Sequence, residues 1–218
     1  LDMKISILCS TPSHPVNKFL SQWKKKNKQN HEIEILNKKS DLKSGDILFL
    51  ISCTEIIDKN VRINFKKTLV IHASDLPDGR GWSPHVWQII SGANLITLTL
   101  LEAEDSVDTG DIWKKSVITI SKDLLWQEIN NIIFSNELLL MDFAINNFET
   151  ITPLKQESAS RRIKYSRRSP LDSEIDINKS ISSQFDLIRV CEPDRYPAFF
   201  KIHGKKYKII LEKYKDEK

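Results

Sequence analysis

The chain has no Gly-x-Gly-x-x-Gly run and no Gly-x-x-x-x-Gly-Lys-Ser/Thr run. Without either phosphate cradle, a nucleotide-binding oxidoreductase or an NTPase is disfavoured. A Gly-x-Ser-x-Gly nucleophile elbow is missing too, which argues against an α/β-hydrolase. Cys9, Cys53 and Cys191 are too widely spaced for a Cys-x-x-Cys pair and have no histidine at ligand spacing; they read as buried thiols of a reducing compartment. His14, His31, His85 and His203 are scattered, with no His-x-x-x-His joined to an acid, so no metal site is expected. Apolar runs stay well short of the roughly 18 residues that span a bilayer. Residues 1–4 lack the pattern of a signal peptide, and residues 1–2 read as an addition ahead of Met3. A cytoplasmic protein without membrane contact is expected. A dominant charge sign is absent as well: 33 basic residues face 29 acidic ones. Nucleic acid is thus an unlikely partner on composition.

What is present is an ordinary globular composition, 40% apolar and 28% charged over 218 residues, enough for one large domain or one domain with a small appendage. Short apolar runs at residues 4–9, 31–36, 46–52 and 68–72 read as strands. Val16, Phe19, Leu20 and Trp23 follow helical spacing, and the lysines of residues 24–28 sit where a helix dipole favours cations. Residues 83–91 read as a short helix with Val86, Trp87, Ile89 and Ile90 inward, ended by Gly92 at C′. Strands are expected at residues 95–101 and 117–120, and a long helix over residues 123–148. The alternation predicts an α/β fold with a doubly wound, mostly parallel sheet spanning residues 3–150. Residues 151–218 read as a small α+β subdomain, with a helix at 181–188 and a hairpin over 199–211 turning at His203-Gly204.

The densest turn chemistry is His-Ala-Ser-Asp-Leu-Pro-Asp-Gly-Arg-Gly-Trp-Ser-Pro, residues 72–84. His72 ends a buried strand, and in open α/β sheets ligands bind beyond the carboxyl ends of the strands. A lone histidine there is more often structural, so the second polar turn matters. Asp105-Ser-Val-Asp-Thr-Gly-Asp111 follows the next strand, and its side chains are expected at the same end of the sheet.

These residues carry a resemblance. The run from His72 to Gly81, then Pro84, Trp87-Gln-Ile, Gly92, a threonine-containing strand and Val107-Asp-Thr-Gly-Asp-Ile112 is similar to the folate-dependent formyltransferases, over residues 3 to about 150. Arg167-Arg-Ser-Pro170, Asp172, Asp176 and Arg195-Tyr-Pro-Ala-Phe-Phe200 resemble the C-terminal extension of amino-sugar N-formyltransferases. The Gly-Arg-Gly-Trp-Ser-Pro form is closest to the branch associated with pseudaminic acid and related nonulosonic acids, hence glycan biosynthesis. The resemblance implies a Rossmann-like formyltransferase fold, 10-formyltetrahydrofolate as cosubstrate and a small-molecule amino sugar as acceptor. It makes His72 and Asp108 the catalytic pair. It puts Ile51, Ser52, Cys53, Ser74, Leu76, Pro77 and Asp105 beside the folate, and Trp82, Arg167 and Arg168 beside an anionic sugar substrate. Arg80-Gly81 is expected to fix the loop.

The chain departs from the family at Val70, where an asparagine two residues before the histidine usually donates to the oxyanion; losing such a donor can cost ~10²–10³ in rate. Glycinamide ribonucleotide formylation, initiator-tRNA formylation and a non-catalytic folate- or sugar-binding relic stay open as alternatives. Residues 161–168 hold five positive charges in eight positions, which suits either a solvated linker or an anion-binding segment. Trp113 reads as core or pocket lining, and Tyr196-Pro-Ala-Phe-Phe200 as packing on its own sheet or as a homodimer interface.

Overall fold

A computed structural model describes residues 2–157 and 163–214. Six strands form the main sheet: β1 (Lys4–Leu8), β2 (Glu32–Leu36), β3 (Gly45–Leu50), β4 (Phe65–His72), β6 (Leu95–Glu102) and β7 (Ile112–Thr119), in the order β2-β1-β3-β4-β6-β7. The pairs among β2, β1, β3 and β4 are parallel, whereas β6 runs antiparallel to β4 and β7 antiparallel to β6. The sheet is Rossmann-like and mostly parallel, as expected. β1 has β2 on one side and β3 on the other, so a crevice opens beyond the carboxyl ends of β1 and β3.

The strands alternate between two apolar layers. Ile5, Ile7, Ile47, Phe49 and Leu69 face a large core closed by α1 (Val16–Asn27), α3 (Pro84–Ile90) and α4 (Trp126–Asn146). Leu8, Leu48, Leu50 and Phe65 face the other side, covered by the one-turn helix α2 (Lys59–Arg62) and by loops. The winding is therefore lopsided. This second face reaches the site, because Val70 packs there and His72, two residues further along β4, projects the same way. On the first face, Trp23 Nε1 and Lys26 Nζ both donate to the Asp142 carboxylate, at 2.7 and 3.0 Å, tying α1 to α4.

Two local expectations change. β7 begins at Ile112 rather than at residue 117: Lys114 and Lys115 interrupt its apolar pattern because it is an edge strand, where lysines discourage pairing with another chain. Trp87 does not enter the core; its Nε1 donates to the Ser166 carbonyl at 2.9 Å. Gly92 does end α3, at a φ of +92°. Beyond α4, α5 (Ile181–Arg189) and the hairpin β9 (Ala198–Ile202)/β10 (Lys205–Ile209) share a small apolar cluster of Ile175, Ile188, Cys191 and Ala198. Phe199 is buried and Phe200 stacks on Tyr207, so this stretch packs within its own unit. No helix among the described residues is long and apolar enough to cross a membrane.

One core residue is charged chemistry in an apolar setting. Glu137 of α4 is buried and its Oε2 has no hydrogen-bond partner, so burial pushes its carboxyl up to about 8. A raised folded-state value means the native chain holds this proton more tightly than the unfolded chain. The resulting stability is full below the ordinary carboxyl value and is lost as pH rises through about 8. Urea denaturation at pH 5, 6.5 and 8 should show wild-type stability falling relative to Glu137→Gln, which carries no such proton, with a slope of about 1.4 kcal/mol for each pH unit. Parallel curves for the two proteins would remove Glu137 as the cause.

Candidate active site

His72 is the last residue of β4 and is buried. Its Nε2 lies 3.0 Å from the Gly79 carbonyl oxygen. That oxygen can only accept, so Nε2 carries the proton and Nδ1 is left with a free lone pair. Nδ1 stands 3.6 Å from Asp108 Oδ1, too far for a direct hydrogen bond but close enough for both atoms to reach one group bound between them. Asp108 Oδ2 accepts from the Gly81 N–H at 3.2 Å. The carboxylate is thus aimed by the loop that also aims the histidine.

Asp108 does not reach His72 in the expected way. Because β6 is antiparallel, the turn after it leaves the sheet beside Thr68 and Leu69: Ala103 N donates to the Thr68 carbonyl at 2.8 Å, and Glu102 pairs with Leu69. That is three residues, about 10 Å, short of His72. Residues 103–111 fold back to bring Asp108 up, and Asp108 adopts a left-handed φ of +60°. Asp105 anchors the bend, its Oδ1 accepting from Arg62 NH2 at 2.7 Å, so it pins the loop to α2. Gly110 allows the return: a Cβ there would sit 1.9 Å from the Glu102 carbonyl oxygen.

The loop after His72 is held from both sides. Ser74 is buried, its Oγ donating to the Asp78 carbonyl at 2.9 Å while its own carbonyl accepts from Thr99 Oγ1 at 2.7 Å. Leu76 is buried ahead of a cis Pro77, and Lys115 Nζ donates to Asp75 Oδ1 and to the Leu76 carbonyl, both at 2.6 Å. Across the crevice, the loop after β3 carries Ile51, Ser52 and Cys53. Ile51 is buried; Ser52 has a left-handed φ of +48°; Cys53 Sγ accepts from Ser10 Oγ at 3.4 Å, which joins the loops after β1 and β3.

The connection after α4 closes the third side. β5 (Arg80–Gly81) pairs with β8 (Lys164–Tyr165), and a Cβ on Gly81 would meet the Tyr165 carbonyl oxygen at 2.2 Å. Only glycine lets the two backbones approach this closely. Arg167 then lies over the Trp82 ring, 4.9 Å from its centroid, both residues exposed. Arg168 does not share that surface. It turns inward, donating from NH2 to Ser173 Oγ at 3.0 Å and stacking 4.8 Å over Tyr196, because the chain at this point runs into the α5 unit. Its expected place beside a substrate is corrected to that of an internal anchor. Arg161 and Arg162 of the same basic run lie outside the described residues. Trp113 is buried, its Nε1 donating to Glu102 Oε1 at 2.9 Å, and belongs to the core.

Two neighbours of the pair carry no motif. Gln156 touches the Asp108 and Arg80 loops together. His85, at the start of α3, is pushed down to about 4, by burial first and by the adjacent His72 second; His14 is pushed to about 4 by burial and by Arg195. Both rings are therefore neutral near pH 7, and their contribution to stability, full above their ordinary value, is lost as pH falls through about 4. Among the described residues no group of histidine, cysteine and acid side chains is arranged to hold a metal ion. A concavity of about 530 Å³ lined by Met3, Asn30 and His31 lies at the amino ends of β1 and β2, opposite His72; the chemistry places the candidate site at His72 instead.

The two arginines separate a surface role from an internal one. Arg168→Ala should lower stability in urea by about 2 kcal/mol, the scale of losing a buried guanidinium's stacking and hydrogen bonding. Arg167→Ala should change it by less than ~0.5 kcal/mol, as expected of an exposed residue. Equal losses would place Arg167 inside as well.

Comparison with known proteins bears on the family and the fold. Among curated proteins, the methionyl-tRNA formyltransferase of Clostridium acetobutylicum is 30% identical over 132 residues, covering 59% of this chain and 42% of that protein. The chain spans about half the length of several of the curated relatives it matches. Among solved structures, a methionyl-tRNA formyltransferase from Clostridium thermocellum superposes with a TM-score of 0.76 at 24% identity, covering 95% of this chain and 97% of that one. HypX from Aquifex aeolicus in complex with tetrahydrofolic acid gives 0.75 at 19%, covering 94% and 37%. A sugar N-formyltransferase from Shewanella sp. FDAARGOS_354 gives 0.72 at 16%, covering 99% of each chain. The structural likenesses establish a shared fold, and the formyl transferase family model matches residues 6–141. With well over half of its length inside that match, including His72 and Asp108, the chain belongs to the formyl transferase family.

Proposed function

We propose that the protein moves a formyl group from 10-formyltetrahydrofolate to the primary amine of an amino sugar, free or nucleotide-linked, in cytoplasmic glycan synthesis. The observation that carries the acceptor class is the Trp82–Arg167 pair. Arg167, from the connection after α4, stacks its guanidinium on the ring of Trp82, which sits on the loop that follows the His72 turn, and both residues are exposed. An aromatic face suits the apolar side of a sugar ring, and a guanidinium suits a phosphate or carboxylate. Ile51, Ser52, Cys53, Leu76 and Pro77 form the folate side. Ser74 and Asp105 support it by holding their loops.

In the proposed reaction the neutral amine attacks the formyl carbon, a C–N bond forms, and the bond to N10 of the folate breaks. Nδ1 of His72 and Oδ1 of Asp108 bracket the proton that the amine sheds. The pair then passes a proton toward N10, so the net transfer is one formyl group out and one proton back. The negative charge that develops on the formyl oxygen needs a donor. Val70 supplies none, since it is packed with Leu50 and Leu8. Ser52, close to the end of the neighbouring strand and held in the left-handed region, is the candidate in its place.

A second reading, formylation of methionyl-tRNA, is favoured by the names of the curated relatives. Lys201, Lys205, Lys206 and Lys208 on the β9/β10 hairpin are exposed cations that suit phosphates.

Release of tetrahydrofolate from 10-formyltetrahydrofolate, followed by absorbance against amino-sugar, nucleotide-sugar, glycinamide ribonucleotide and methionyl-tRNA acceptors with product masses, tests the reading. One formyl added to an amino sugar supports it; turnover only with methionyl-tRNA or glycinamide ribonucleotide overturns the acceptor class. Turnover with none, despite folate binding, indicates a binding protein. His72→Asn and Asp108→Asn should each lower kcat by ~10²-fold or more. Ser52→Ala should lower it at least tenfold if its hydroxyl is the oxyanion donor, and Val70→Asn should restore that loss.

A further inference from the structure

Asp108 faces an unusual demand. It must reach His72 from a loop that starts beside Thr68, short of the end of β4, in a backbone conformation that β-carbon sterics disfavour. Its own side chain cannot hold that conformation, because Oδ1 is directed at His72 and Oδ2 is engaged by Gly81. The backbone on either side must be held by something else.

We infer that Gln156, in the connection after α4, is the positioning residue that sets Asp108 against His72. Its Nε2 donates to the Asp108 carbonyl at 3.0 Å and to the Gly110 carbonyl at 2.8 Å. Its Oε1 accepts from Arg80 NH2 at 3.2 Å. One amide therefore clamps the carboxylate's own residue and the glycine two positions on, and ties both to the loop whose Gly79 carbonyl fixes His72 Nε2.

The chemistry selects glutamine specifically. Two backbone carbonyls require two N–H donors on one atom, and an arginine requires an acceptor beside them; a side-chain amide offers both at once. The same logic fixes which way the amide faces, since the reverse orientation would set oxygen against two carbonyls. Glutamate would keep the contact to Arg80 and lose both donors. Asparagine is one methylene shorter. Gln156 is itself held where it must be, because Leu154, two residues before it, exchanges backbone hydrogen bonds with Ile112 at 2.7 and 2.8 Å, immediately after the Asp108 turn. The clamp thus has a fixed base on β7.

The inference rests on the reading of His72 and Asp108 as a working pair, and its test separates the two. The full chain, labelled with ¹⁵N histidine, gives Nδ1 and Nε2 resonances for His72, assigned through His72→Asn. Asp108→Asn should move Nδ1, which faces the carboxylate, and leave Nε2, which faces Gly79. Gln156→Ala and Gln156→Glu should each move Nδ1 by at least half of the Asp108→Asn displacement, again with Nε2 in place. A merely structural role would move both nitrogens or neither. Gln156→Glu retains a partner for Arg80 and serves where the alanine variant is too unstable. If Asp108→Asn moves Nδ1 and neither Gln156 variant does, the positioning role is overturned while the pair stands. If Asp108→Asn itself leaves Nδ1 unmoved, the pair is overturned and the positioning role with it. Formyl transfer, where an acceptor supports it, should show kcat reduced ~10–100-fold in the Gln156 variants with the folate KM changed less than threefold.

Discussion

The site depends on one topological constraint: β6 runs against β4, so the loop that carries the acid leaves the sheet beside Thr68, about 10 Å back along β4 from the histidine. In an all-parallel sheet the loops after adjacent strands would meet at one edge without further effort. Here residues 103–111 must cross back over the second face, and the local oddities serve that crossing. Gly110 has no room for a side chain, Asp108 takes a left-handed φ, and Asp105 is tethered to Arg62. The thin covering of this face, a one-turn helix and loops, leaves the path open.

The polar interior around the pair follows a consistent electrostatic pattern. His85 and His14 are both kept neutral by burial, and their neighbours Arg168 and Arg195 make protonation costlier still. Glu192 answers one of these cations through two contacts of 2.6 Å to Arg195. Arg168, lacking a carboxylate partner among the described residues, is instead offset by the Tyr196 face and the Ser173 hydroxyl. His85 is the neutral imidazole beside His72, and Asp108 is the acid that faces His72, Oδ1 to Nδ1 at 3.6 Å.

Much of this is legible in the sequence, because strand spacing, the His72 turn and the Asp108 turn are local patterns. The strands of residues 4–9, 31–36 and 46–52 and the long helix appear close to their expected places, since their burial is regular. What is not legible is long-range. Strand direction is not encoded in the alternation of residues 95–101, so the sequence alone starts the Asp108 loop from the wrong end of the sheet. Arg167 and Arg168 are identical neighbours in sequence, yet consecutive side chains on extended chain point to opposite sides; one meets Trp82 and the other Tyr196. Gln156 sits in a polar connection with no periodicity and no motif. Nothing but a fold in which that connection returns to β7 could single it out.

That return changes what the segment beyond α4 is for. A division near residue 150 treats the remainder as an appendage, whereas Leu154 pairs with β7, Gln156 holds the Asp108 turn, Tyr165 lies against Gly81 and Ser166 accepts from Trp87. These contacts come from residues 154–156 and 165–166, and they are hydrogen bonds and close backbone approaches. The small C-terminal cluster of Ile175, Ile188, Cys191 and Ala198 lies just beyond this connection, and Arg168 ties the two together through Ser173 Oγ and the Tyr196 ring.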